Sequence, residues 1–84
     1  MKLLVESPTM APMLDPTTGS HIYGVRPTVV PPSPFVDMLI GEGRLVKLDE
    51  LADEADDDLY MAAHRADPAK ALAGLPRLKK VVAK

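Results

Sequence analysis

The chain has 84 residues, 46% of them hydrophobic, with no Cys, no Trp and a formal net charge of −2. That length holds one small domain, or part of one with a tail, burying only about 60% of the surface its unfolded form exposes, which argues against a large enzyme. The missing cysteines argue against a thiol enzyme and a cysteine zinc module, and the slight acidity gives no whole-chain attraction to nucleic acid. Without a disulfide or metal staple, the fold is expected to lean on partners or on copies of itself.

The chain opens Met1-Lys2-Leu3-Leu4-Val5-Glu6. Three apolar residues fall short of the roughly 7–15 of a signal peptide, and no stretch approaches the ~18 of a membrane span. The expectation is a soluble protein made in the cytoplasm. Leu3-Leu4-Val5 reads as a strand, ended by Ser7-Pro8. Asp15-Pro16-Thr17-Thr18-Gly19 is turn chemistry, either a hairpin tip or a broader loop: Asp caps its own backbone, Pro presets φ and Gly accepts positive φ. Residues 21–23 and 28–30 carry β-branched and aromatic side chains suited to strands. Pro27 demands an edge or a break between them.

In Pro31-Pro32-Ser33-Pro34, Ser33 suits an N-cap and Pro34 the first helical position. The same four residues match a polyproline ligand, but the apolar run that follows favours a helix start. Phe35, Val36, Met38, Leu39 and Ile40 make the helix, and Gly41 stops it. Arg44-Leu45-Val46-Lys47-Leu48 alternates as a returning strand. Phe35, Leu39, Leu45 and Val46 are the expected core, with Phe35 the largest contributor. Residues 1–48 thus read as a small β-rich module, β–β–short helix–β.

Composition changes near residue 49. Residues 1–48 hold seven of the nine prolines and four of the five glycines. Residues 49–64 hold seven acids and no Lys or Arg; residues 65–84 hold six basic residues and one acid. The spacing of Leu51, Ala52, Ala55, Leu59, Ala62 and Ala63 predicts an acidic helix over 49–66, capped by Asp49. Residues 67–84 read as a short helix opened by Asp67-Pro68, stopped by Gly74 and Pro76, then a basic tail. The fold class is α+β.

The sequence holds no constellation for chemistry. His21 and His64 lie in different elements without companion ligands, so no metal and no cofactor is expected. A calcium loop starting at Asp53 would place Asp58 at its sixth position and His64 at its twelfth, where Gly and Glu are required. The acids then form a solvated helix face or a docking face for a basic partner. Ser7, Ser20 and Ser33 lack a nucleophile setting, and Gly41-Glu42-Gly43 lacks the third Gly of a dinucleotide site. No catalytic residue is expected. The tail interleaves Arg77, Lys79, Lys80 and Lys84 with Leu75, Leu78, Val81 and Val82. It suits weak phosphate contacts, without an aromatic to stack on bases, or an acidic protein surface such as a neighbouring copy's helix. Leu59, Leu72, Leu75, Arg77, Leu78, Lys79, Lys80 and Val81 are the expected protein-interface residues.

The order of motifs over residues 1–48 resembles a known family. Val5-Glu6-Ser7-Pro8 precedes Asp15-Pro16-Thr17-Thr18-Gly19, then Gly24, a Val-Pro segment over residues 29–32, and an apolar helical turn before Gly41-Glu42-Gly43-Arg44-Leu45-Val46. The family comprises very short proteins encoded beside the tail-sheath gene of Mu-like contractile-tailed phages. Phe35 stands where that family has a Tyr-Trp pair, and Glu42-Gly43-Arg44 replaces its Gly-Asp pair. The resemblance implies a structural virion protein of the tail, collar or neck. It would be present in multiple copies and contact itself and other tail proteins, with no small-molecule substrate and no membrane. A different class, a small adaptor or inhibitor docking through the acidic helix, is the alternative, and a nucleic-acid protein acting through its tail is a third.

Overall fold

The computed structural model describes residues 1–78. Its elements are β1 (Lys2–Glu6), β2 (Met13–Leu14), β3 (His21–Ile22), β4 (Thr28–Val30), α1 (Pro34–Gly41), β5 (Val46–Leu51), α2 (Asp57–Ala66) and α3 (Pro68–Ala73). The chain is α+β: β1 is the middle strand of an antiparallel sheet ordered β4-β1-β5, and β2 and β3 form a separate hairpin.

Three consecutive buried residues in β1 follow from cover on both faces of the sheet. Leu3 and Val5 point to one face and join Ile22, Val30, Val36, Leu39 and Leu45. Leu4 points to the other and joins Val29, Leu51, Ala55, Tyr60, Ala71 and Leu75. The sheet is thus the middle layer, with α1 and the hairpin on one side and α2 and α3 on the other.

The Asp15 loop is the tip of the β2–β3 hairpin. Asp15 Oδ1 accepts from the Thr17 N–H (2.8 Å), its carbonyl accepts from Gly19 N–H (2.8 Å), and Gly19 has φ +73°. The fully buried Asp15 also accepts a 2.5 Å bond from the Ser33 hydroxyl, whose oxygen accepts from Val36 N–H (3.1 Å) as the N-cap of α1. One serine therefore fastens the hairpin tip to the start of the helix. Burial pushes the Asp15 carboxyl up, but donors from Ser33, Thr17 and Thr18 outweigh it and hold the group below 3.8. Behind the hairpin, Gly24 abuts Met10: a Cβ at Gly24 would lie 2.1 Å from the Met10 carbonyl oxygen.

Several sequence expectations need correction. Val46 is 45% exposed. The chain turns sharply before it, with Arg44 and Leu45 N–H both bonding the Leu39 carbonyl, so Leu45 fills the core. Val46 pairs with Glu6 at the end of β1. Phe35 is only half-buried beside the first core; the largest fully buried side chains are Ile22, Leu45 and Leu51. The helix expected over 49–66 begins only at Asp57, capped by Asp56, which accepts from Asp58 and Leu59 N–H. Residues 49–51 continue the strand because pairing with the open edge of β1 overrides a helical spacing that the sequence also permits. The pairing steps from Leu4–Asp49 to Val5–Lys47, leaving Leu48 as a bulge residue. A boundary at 48/49 therefore cuts through β5. Leu51 and Ala55, fully buried against β1 and β4 residues, tie the acidic segment into the same core.

Candidate functional site

Both tyrosines, both histidines and Arg26 converge on one array. His21 and Tyr23, two residues apart at the end of β3, share a side and stack at 4.6 Å with rings 5° from parallel. Tyr60 and His64, one turn apart on α2, meet edge to face at 5.5 Å. Between the pairs lies the Arg26 guanidinium, 4.2 Å from the Tyr23 ring centroid and 5.0 Å from that of Tyr60. Arg26 is 8% exposed; its Nη1 donates to the Pro27 carbonyl and its Nη2 lies 3.7 Å from Asp57 Oδ1. Two ring faces and a carboxylate make this a desolvated cation site, clasping the segment between β3 and β4 to helix α2.

The clasp leaves Arg26 Nη2, Asp57 Oδ1 and Tyr60 Oη buried without a hydrogen-bond partner among the described residues. Burial pushes the Asp57 carboxyl above 3.8 against the pull of Arg26, with Asp58 and Asp56 adding to the rise. Burial likewise raises the Tyr60 phenol above 10. The ion pair is long and imperfectly satisfied, so the rings carry much of its stabilisation.

Beside the clasp, α2 and α3 enclose a groove of about 480 Å³. Leu59, Tyr60, Ala63, Ala71 and Leu75 give it an apolar lining. Glu54, Asp56 and Asp67 stand along it, with Lys70 the single cation among the described residues. The alanines open the space: a larger side chain at 63 or 71 would fill it. The acids stand there for local reasons, since Asp56 and Asp67 are the N-caps of α2 and α3.

The expected interface residues are dispersed by the fold. Leu59 is 70% exposed at the groove, and Leu78 is exposed. Leu72 is half-buried against the second core. Leu75 is itself core, 7% exposed, which corrects its assignment to an outer interface; the turn after α3 folds it inward. Arg77, expected as a recognition charge, is engaged within its own chain: Nη2 donates to the Leu72 carbonyl (2.7 Å) and Nη1 pairs with Asp49 (3.3 Å). Lys79, Lys80 and Val81 lie outside the described residues. His21 and His64 belong to opposite ends of the array, and among the described residues no three potential metal ligands converge.

Sequence reasoning missed Arg26, Tyr23, Tyr60 and Asp57 as a unit. Tyr60 is distant in sequence from Arg26, and no spacing rule links them. A search of protein-family models, curated proteins and solved structures finds no match to this chain. Among the described residues no helix is long and apolar enough to cross a membrane.

Proposed function

We propose that this protein is a structural virion component of a contractile phage tail or neck, assembling in multiple copies near the top of the tail. The phage setting rests on the motif order of residues 1–48. The assembly role rests chiefly on β5. Residues 76–78 pair with only part of its outer edge, through Ala52 N–H to Pro76 O (2.8 Å) and Leu78 N–H to Glu50 O (3.0 Å). Among the described residues nothing pairs with the outer edge at 46–48, where Val46 and Leu48 are each 45% exposed. An edge carrying apolar side chains is suited to accept a strand from a neighbouring chain. The reading is of a binding and building element, not an enzyme, with copies of itself and other tail or neck proteins as partners.

Two measurements test it. Sedimentation equilibrium should show masses rising with concentration in multiples of 9.1 kDa. Mass spectrometry of purified contractile particles from cells carrying the gene should detect the protein in multiple copies per particle. A monomer at every concentration, together with absence from the particles, would overturn the proposal. A one-to-one complex with a basic protein outside any particle would favour the adaptor reading instead.

A further inference from the structure

We infer that the groove between α2 and α3 receives the basic C-terminal segment, residues 79–84, of a second copy of this chain. The inference rests on the self-assembly reading above and names the contact. The volume of about 480 Å³ falls in the range, roughly 300–1,000 Å³, in which concave sites take ligand-sized groups. Its lining is apolar, and Leu59 beside it is 70% exposed, so an apolar occupant gains by covering it. Among the described residues, three acids against one lysine select a cationic occupant. The segment Lys79-Lys80-Val81-Val82-Ala83-Lys84 has that chemistry: two valines and an alanine flanked by three lysines.

In one copy the described chain turns away from its own groove before the segment begins. Pro76 lines the groove, but by Leu78 the chain is bonded to Glu50 of β5, and no β5 residue lines the groove. Arg77 locks that exit by holding both Asp49 and the Leu72 carbonyl. Residue 78 of one copy is thus held at β5, away from its own groove, and the segment that follows is assigned to a neighbour's groove. Such a contact uses two different surfaces, so it is heterologous and propagates head to tail, closing into a ring where the rotation allows.

The test uses full-length protein and a complementing pair of variants. Ala63→Arg fills the groove and opposes the incoming lysines; Ala63 is exposed, so folding is undisturbed, as a circular dichroism melt would verify. Leu59→Lys, at a 70% exposed position, is a second groove variant that removes apolar cover without bulk. Lys79→Glu with Lys80→Glu alters the segment alone. Sedimentation equilibrium should show self-association weakened at least tenfold for each variant. An equimolar mixture of Ala63→Arg and Lys79→Glu/Lys80→Glu should remain as weak as the parts wherever both surfaces of a contact are altered. It should still form one productive contact, from the intact segment of the first into the intact groove of the second, giving a capped dimer. A mixture that stays monomeric while the wild type associates overturns the groove contact. Groove variants that associate like the wild type also overturn it and leave the assembly proposal standing. A wild type that never associates removes both.

Discussion

Replacing Arg26 by Met keeps much of the apolar stem and deletes the guanidinium, which isolates the worth of the clasp. The Arg26 side chain is only 6% exposed and lies 4.2 Å and 5.0 Å from two ring centroids. Desolvated cation–π contacts run to ~2 kcal/mol each; taking ~1 for each gives ~2 kcal/mol here. At 3.7 Å from Asp57, the gross Coulomb attraction is about 4.5 kcal/mol at an effective dielectric of ~20, most of it cancelled by the desolvation that Met no longer suffers. Leaving Asp57 without its counter-charge adds ~1 kcal/mol, for a total near 3 kcal/mol. Whole-domain stability at this size is about 4–13 kcal/mol, so the variant should fold but melt roughly 12–24 °C lower. The assay is urea and thermal unfolding followed by tyrosine fluorescence. Tyr23 and Tyr60 are the only tyrosines in the chain, and both flank the substitution, so the probe reads the site itself. Arg26→Lys should fall between, since an ammonium keeps the charge without the planar stack. In Arg26→Met the Asp57 carboxyl loses the attraction that lowers it. A folded value above the unfolded one means stability present below about 3.8 and lost as pH rises through the raised value, so the deficit should shrink on acidification. An Arg26→Met protein within about 0.5 kcal/mol of the parent at neutral pH would refute the clasp.

Leu51→Ala should cost about 2–5 kcal/mol in denaturant unfolding, because Leu51 is fully buried between the sheet and α2–α3. Val46→Ala, at an exposed edge position, should fall within about 0.5 kcal/mol of the parent, and equal losses for the two would contradict the strand register. Ser33→Ala should lose about 1 kcal/mol for the helix cap alone, some 4–8 °C in melting temperature. Because Asp15 is held below 3.8, its contribution is present above that value and lost as pH falls through the lower folded one, so stability-versus-pH curves of Ser33→Ala should show a smaller acid-side loss. Gly24→Ala should destabilise by at least ~1–3 kcal/mol on thermal melts, since its Cβ would meet the Met10 carbonyl oxygen at 2.1 Å.

Elements whose cause is local were legible in the sequence. Ser33-Pro34 opens α1 through a real cap, Asp67-Pro68 opens α3 in the same way, and the Asp15-to-Gly19 loop turns a hairpin. The failures are those of long-range cause. Residues 49–51 fit both a continuing strand and a helix start, and only the unpaired edge of β1, brought from the other end of the chain, decides between them. Leu75 reads as part of a tail until the turn after α3 folds it against Leu4 and Leu51. The Arg26 clasp joins the loop between β3 and β4 to a helix some thirty residues later, so each residue alone resembles an ordinary surface polar or aromatic side chain.

The central position of β1 also governs when this protein can fold. Its Leu3, Leu4 and Val5 need Thr28, Val29 and Val30 on one edge and residues 46–51 on the other. Every sheet contact of β1 therefore spans a long sequence separation, and loop-closure entropy must be met before any of them helps. During synthesis β1 precedes both of its partners, leaving three adjacent apolar residues uncovered until β5 and the helices beyond it are available. Sheet formation therefore waits on those distant segments, and β1 is exposed to aggregation in the interval. In that interval the same strand, apolar at three successive positions, is the point at which two chains would mispair.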